Sequence, residues 1–417
     1  MKLVKMSLVA AMLLGASAFA IDNVKVSGDA KLFYTTQDDN KGELFDKGAS
    51  TGEVALSLGV TADLTEGVSA GTTLNAITTL GLYNNLVSAT WTGGIQDYYW
   101  FSEAWLAGTA GKTTAKVGRM QLDTPLVFSE TWSVAPNTFE AAVLINTDLP
   151  GTTLVGAYVG QHNSASVLGG GFDGSRIKRD DTGAVVVNPD DGLPVIEPTG
   201  DSVNNAFESF YNGAYAIGAV NNSFAPLTAQ AWYFDAPQAV KAYWLQADLN
   251  IEGIMAGLQY TGADWTITDS DNTAFAGMLG YEMKDTFTAK ASFSSVDKDE
   301  KSGMGAGFNL AGSQSKLYTE AWWYYGVITL PDTTAMNVTL TAPVADLFDA
   351  GVYYTQATIG KNGDGTAEDQ DFSEATFELA KSFGPLDVGL YYIYTKYDAD
   401  NEGDAYNTVQ AYLTYNF

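Results

Sequence analysis

The sequence contains no cysteine, a single histidine and few basic residues. Without cysteine, the chain can form neither a disulfide framework nor a zinc–thiolate site. Lysine and arginine together number 21 against 49 aspartates and glutamates, which gives a net charge of −28. This balance leaves no basic patch for nucleic acid. It favours cationic partners and repels polyanions.

Proline and long apolar runs are also scarce. The chain has 11 prolines among 417 residues. No stretch after residue 20 approaches the run of about 20 apolar residues that a transmembrane helix needs. Only 17% of the residues are charged while 46% are hydrophobic, so this is not an acidic disordered chain. The 43 glycines and 12% aromatic residues are typical of many strands joined by turns.

The first twenty residues, MKLVKMSLVAAMLLGASAFA, differ from the rest. A short basic region with Lys2 and Lys5 precedes an apolar run, and Ala18-Phe19-Ala20 follows it. This order predicts a signal peptide, residues 1–20, that is cleaved after Ala20. The remaining chain, 21–417, is then exported as a single domain.

Apolar and polar residues alternate along much of this domain. In EVALSLGVTADL (53–64), Leu56 and Leu58 share one face, and Glu53 and Ser57 share the other. This two-residue period predicts β-strands with one apolar and one polar face. Twenty segments fit it: 23–35, 53–64, 67–79, 98–108, 113–121, 137–147, 152–161, 212–220, 226–235, 241–250, 253–262, 273–283, 285–296, 303–310, 316–325, 335–343, 347–359, 371–380, 386–397 and 405–417.

The lengths of these segments favour a membrane barrel over a soluble sandwich. They centre on about ten residues, as tilted membrane-crossing strands do, whereas soluble strands average about five to six. Short connections alternate with long ones, of which 162–211 is the longest outer loop. We therefore predict an all-β fold, a transmembrane antiparallel β-barrel of about 18 strands (range about 16 to 20) with short periplasmic turns and long outer loops. Lipid would contact the apolar rows and water would fill the lumen.

The C-terminal strand and the aromatic residues agree with a barrel. In TVQAYLTYNF (408–417), Leu413, Tyr415 and Phe417 share one face up to the last residue. This ending resembles the terminal signal that the barrel assembly machinery reads. Tyr and Trp favour the membrane interface, and aromatic clusters lie at predicted strand ends: YYWF (98–101), WWYY (322–325) and YYIY (391–394).

Three motifs resemble the major outer-membrane porins of Campylobacter-type bacteria, which belong with the wider Opr family of Gram-negative porins. They are GRMQLDTP (118–125), PNTFEA (136–141) and NTDLPGTTLVGAYV (146–159). The resemblance implies an 18-stranded barrel in outer-membrane lipid and lipopolysaccharide, commonly a homotrimer. It also implies that the third outer loop, here 122–136, folds inward to constrict the pore. Such a channel passes ions and small hydrophilic solutes.

A porin needs no catalytic group and no cofactor, only a lumen with arranged charges. The candidate acids of the constriction are Asp123 and Glu130 in the inward loop and Glu140 at the start of the following strand. The candidate bases are Lys116 and Arg119, whose odd separation places them on opposite faces of a regular strand. A bulge at Gly118, between them, would turn one of the two toward the other face. Because acidic residues outnumber basic ones, we predict that the pore prefers cations over anions.

One acidic loop offers a candidate calcium site. Asp398, Asp400, Glu402 and Asp404 supply the oxygen ligands that calcium prefers, although their spacing does not match the full twelve-residue calcium loop. The other acidic loops are expected to be solvated surface.

Two alternative functions are open to the sequence. An enzyme of the Ser-His-Asp type would have to use His162, the only histidine, which lies at the edge of the longest loop. A secreted β-rich surface or binding protein without a pore would also show a leader, an acidic charge and alternation. Such a protein would require neither a strand that extends to Phe417 nor a regular alternation of short and long connections.

Overall fold

The structure is a computed structural model that describes residues 22–39, 42–88, 97–163, 175–177, 196–198, 207–266, 268–298, 304–361 and 369–417. The predicted signal peptide lies outside the described residues, and so does most of the 162–211 loop. Within the described ranges, no helix is both long enough and apolar enough to cross a membrane.

Eighteen of the described strands form one antiparallel sheet, and two short strands form a separate hairpin. The hairpin consists of β8 (Ser175–Ile177) and β9 (Ile196–Pro198). The sheet consists of β1 (Asp22–Gln37), β2 (Ser50–Thr65), β3 (Val68–Thr78), β4 (Asp97–Ala110), β5 (Thr113–Met120), β6 (Phe139–Asn146), β7 (Thr152–His162), β10 (Glu208–Asn221), β11 (Leu227–Ala236), β12 (Val240–Ile251), β13 (Ile254–Trp265), β14 (Ser270–Met283), β15 (Phe287–Val296), β16 (Thr333–Val344), β17 (Phe348–Ile359), β18 (Gln370–Phe383), β19 (Leu386–Tyr397) and β20 (Tyr406–Asn416).

The sheet closes on itself because β1 pairs with both β2 and β20. The closing ladder runs from Asp29 opposite Asn416 to Gln37 opposite Thr408. It extends to the last residue, where the Gly28 N–H donates to the Phe417 carbonyl at 2.9 Å and the Phe417 N–H donates back at 2.9 Å. The predicted 18-stranded antiparallel barrel is thus confirmed.

Gly28 allows this closure because a side chain there would have no space. A Cβ on Gly28 would lie 2.2 Å from the Ser57 carbonyl oxygen and 2.8 Å from the Phe417 ring.

Gly28→Val is therefore expected to separate β1 from its neighbours and to lower the yield of assembled barrel. Heat-modifiable migration on gels measures that yield. Gly108→Val, at a glycine of β4 with open space around its Cβ, is the comparison, and equal yields for the two variants would contradict the closure argument.

The two faces of the strands have the predicted character. In β2, Leu56 is 48% exposed on the outer face, while Glu53 and Ser57 are buried on the inner face. In β18, Phe377 and Leu379 are 50% and 45% exposed, with Glu374 buried opposite them. The same holds at the C-terminus, where Leu413, Tyr415 and Phe417 are all exposed. The barrel wall is therefore apolar outside and largely polar inside.

Two of the twenty predicted strands, 303–310 and 316–325, are wrong. β15 and β16 pair directly, from Thr288 opposite Thr341 to Ser295 opposite Thr334, so no strand fits between them. The described part of their connection, 304–332, folds into the barrel as an irregular chain. The prediction for the cluster WWYY (322–325) is wrong for the same reason, because it lies inside the barrel rather than at a strand end. Its four consecutive aromatic residues have no two-residue period.

Candidate pore constriction

Two connections fold into the lumen and contact each other. We call 121–138 inward segment A and 304–332 inward segment B. Their apolar side chains, including Leu126 and Leu310, share one buried cluster with inner-wall residues such as Trp244 and Trp265. The Leu310 N–H also donates to the Leu126 carbonyl at 2.8 Å. The lumen is thus narrowed by a packed plug with two parts rather than by a single loop.

The carboxylate of Glu130 joins the two segments. Its Oε1 accepts the backbone N–H groups of Ser313 and Gln314, each at 2.7 Å, and the side-chain amide of Asn309 at 2.9 Å. Its Oε2 accepts the Trp132 indole N–H at 2.9 Å. Glu130 is 1% exposed. Because four donors converge on this buried group, Glu130 fixes segment B against segment A.

Gly312 leaves the space that Glu130 needs. A Cβ at this position would lie 2.1 Å from the Glu130 Oε1 and 2.4 Å from its carboxyl carbon. The close approach brings the carboxylate against the turn that carries Ser313 and Gln314. A side chain at 312 would displace these hydrogen bonds.

The barrel wall holds both segments with side chains from its C-terminal strands. Glu374 on β18 accepts the N–H groups of Trp323 at 2.9 Å and Tyr324 at 2.8 Å. Tyr412 on β20 donates its hydroxyl to the Trp132 carbonyl of segment A at 2.9 Å. The position of the plug is therefore set by wall residues as well as by its own packing.

Asp123 and Lys316 form an ion pair that also bridges the segments. The Lys316 ammonium lies 4.6 Å from the centre of the Phe128 ring. Asp123 is 91% exposed, so the pair contributes little to stability. Its effect is to neutralise Lys316, the only lysine or arginine in either segment.

The predicted bases lie on β5 and do not share a face. The ladder continues through Gly118 without a shift of register, so Lys116 and Arg119 point to opposite sides. The Lys116 ammonium lies 4.1 Å from the centre of the Trp105 ring. The Arg119 guanidinium bonds the Glu140 carboxylate on β6 at 2.6 Å and the Phe101 carbonyl at 2.7 Å.

Asp123 and Glu130 lie in segment A, which contains the predicted inward loop 122–136, whereas the sequence analysis did not identify segment B. Arg119 and Glu140 pair with each other on the wall, between β5 and β6. Segment B could have been recognised from its local pattern. Glycines at 303, 305, 307 and 312 and the run of four aromatic residues both interrupt strand alternation.

The remaining candidate residues have structural contacts. Asp398 accepts the Asp371 N–H at 3.0 Å, and Asp400 accepts the Asn401 N–H at 2.8 Å, so both stabilise the loop that contains them. Within the described ranges, no group of three or more acids or histidines is placed to hold a metal ion. His162 packs on the rings of Phe139 and Phe210, with centroids 6.2 and 5.0 Å away.

A cavity of about 520 Å³ lies between the two segments and the wall strands β16, β17, β19 and β20. Aromatic side chains from both sources line it: Trp132, Trp322, Trp323, Tyr353, Tyr391 and Tyr412. We call these six residues the aromatic chamber.

Comparisons with known proteins agree with the barrel. No curated protein matches the chain. One similar solved structure is Pseudomonas aeruginosa OccK8 (OprE), with 15% identity, a TM-score of 0.70, and coverage of 96% of this chain and 99% of that one. A second is P. aeruginosa OccK1 (OpdK), with 12% identity, a TM-score of 0.70, and coverage of 95% of this chain and 99% of that one. A third is a BenF-like porin from Pseudomonas fluorescens Pf-5, with 11% identity, a TM-score of 0.73, and coverage of 95% of this chain and 99% of that one. At these identities the likeness shows the fold.

The sequence itself matches a protein-family model. The model describes the Campylobacter major outer membrane protein, and the match covers residues 1–317. This range includes both the closing strand β1 and inward segment A. The chain belongs to the Campylobacter major outer membrane protein family, and it is an outer-membrane channel of the porin type.

Proposed function

We propose that this protein is a passive diffusion channel that prefers cations over anions and admits ions and small hydrophilic solutes. The observation that supports the preference is the charge of the plug. Segments A and B contain the acids Asp123, Glu130, Glu320 and Asp332 but only one basic residue, Lys316, which pairs with Asp123. Asp332 also has a cationic neighbour, the Lys298 ammonium at 3.4 Å, just after β15. A ring of one charge sign at the narrowest point selects ions of the opposite sign.

The sign of the reversal potential in a planar bilayer under a KCl gradient tests this proposal. A cation-selective sign is expected for the purified protein. Lys316→Gln should strengthen the preference because it leaves Asp123 without its partner. Lys284→Gln, at an exposed turn between β14 and β15, removes the same charge away from the plug and should have a smaller effect. An anion-selective sign in the unmodified protein would refute the preference.

The cation preference is expected to increase with pH. Burial, together with the neighbouring carboxylates Glu374 and Glu130, raises the pKa of Glu320 well above its usual range, although the N–H groups of Gly326 and Ser315 oppose the rise. Glu320 is therefore neutral at pH values where ordinary carboxyls are ionised, and a pH above its raised pKa adds one negative charge to the plug. Reversal potentials measured across a pH series should show this step. Glu320→Gln should remove it, and a step that persists in this variant would assign it to another group.

We also propose that the protein assembles as a homotrimer, as its resemblance to Campylobacter-type porins implies. Native mass spectrometry of the detergent-extracted protein is expected to give three times the mass of one chain. A monomeric mass in several mild detergents would contradict this.

A further inference from the structure

The aromatic chamber has ring faces arranged around one space. Trp322 lies against Tyr353 and Tyr391, with centroids 4.5 and 5.2 Å apart and interplanar angles of 32° and 26°. Tyr391 meets Tyr412 edge-on, at 5.6 Å and 90°. Trp132 meets Trp323 edge-on, at 6.0 Å and 86°. These contacts fix the orientation of the rings before any solute enters.

The hydroxyl groups of two of these tyrosines bond to a carboxylate. Tyr353 and Tyr391 donate to the Glu378 oxygens at 2.6 and 3.2 Å. A hydroxyl that donates to a negative group places more negative charge on its own ring, and the face of an aromatic ring already attracts cations. The wall side of the chamber is therefore electronegative without exposing a charge directly.

Two further polar groups at the cavity are buried without a hydrogen-bond partner. They are the Oε2 of Glu320 and both amide atoms of Gln410, whose side chain is 0% exposed. The Glu320 Oε1 accepts the Gly326 N–H at 2.9 Å. Of the described residues that line the cavity, none is basic. Burial disfavours the charged form of Glu320, and a cation that enters the cavity would favour it again.

Rigid aromatic faces beside a buried carboxyl group suit one class of ligand. A metal cation requires several oxygen ligands at close range, whereas Glu320 is the one carboxyl among the described residues that line this cavity, and half of those residues are aromatic. An organic ammonium ion can place its apolar substituents against the rings and its charge near Glu320 and Glu378. We infer that the aromatic chamber is a binding site for organic ammonium ions on their path through the channel. The inference rests on the proposed diffusion function.

Choline and neohexanol, its uncharged carbon isostere, test this inference. Each is added to purified protein in a planar bilayer at constant KCl, and the ion current is recorded. Choline is expected to interrupt or reduce the current in a saturable manner, whereas neohexanol at equal concentration is not. Equal effects of the two compounds, or no saturation with choline, would overturn the inference. The channel could still carry KCl with a cation-selective potential in that case, so the proposed function would stand independently.

Variants locate the site. Trp322→Leu removes the ring that contacts two tyrosines and is expected to weaken choline binding about 5- to 30-fold, the usual range for a cation–π contact. Trp105→Leu, which removes an aromatic residue of the wall outside the chamber, is the matched control and should keep choline binding. Glu320→Gln keeps the shape but cannot become negative when a cation enters, so it should weaken choline binding and leave the absence of a neohexanol effect unchanged. Retention of choline binding in both Trp322→Leu and Glu320→Gln would refute the assignment.

Discussion

Replacing Glu130 with alanine is expected to loosen the plug and raise the single-channel conductance. The change leaves the buried N–H groups of Ser313 and Gln314 and the indole N–H of Trp132 without their acceptor. Leaving a buried donor without its acceptor costs about 1 to 3 kcal/mol, so the three donors together shift the equilibrium between docked and undocked segments by roughly 10²-fold or more. Larger and noisier current steps in planar bilayers would show it.

The controls for Glu130→Ala separate charge from docking. Glu66→Ala removes an exposed acid at the turn between β2 and β3, and it is expected to leave the conductance unchanged. Gly312→Ala keeps the carboxylate but intrudes on it, so it should reproduce the effect of Glu130→Ala in weaker form. A Glu130→Ala channel with the same conductance and noise as the unmodified protein would show that Glu130 does not hold the segments together.

A second large effect is expected when segment B is removed. Replacing residues 305–330 with a short Gly-Ser linker deletes one half of the plug, and the conductance should rise severalfold because the open cross-section increases. The ladder between β15 and β16, from Thr288–Thr341 to Ser295–Thr334, involves none of the deleted residues. The barrel should therefore assemble and keep its heat-modifiable migration.

This deletion also discriminates between two models of the constriction. If segment A alone narrows the pore, the deletion variant will conduct as the unmodified protein does. If both segments are required, the conductance will rise and choline will no longer interrupt the current. A chain that fails to assemble can be replaced by the Glu130→Ala and Glu374→Ala double variant, which keeps every residue of segment B but removes its carboxylate anchors.

The sequence alone determined the barrel and its two faces. A strand period of two residues is a local property, so the alternation in 53–64 and 371–380 could be read without any knowledge of neighbours. The closing strand could be read in the same way, because the alternation of Leu413, Tyr415 and Phe417 ends with the chain. Eighteen of the twenty predicted segments are strands for this reason.

Only the tertiary structure decided what fills the barrel. Glu130 and Gln314 are 184 positions apart, and Glu374 and Trp323 are 51 apart. No local spacing encodes such contacts, so the docking roles of these carboxylates could not be predicted. A backbone segment can satisfy its N–H groups with buried carboxylates instead of a neighbouring strand, which is why 304–332 lies inside the barrel although parts of it resemble strands.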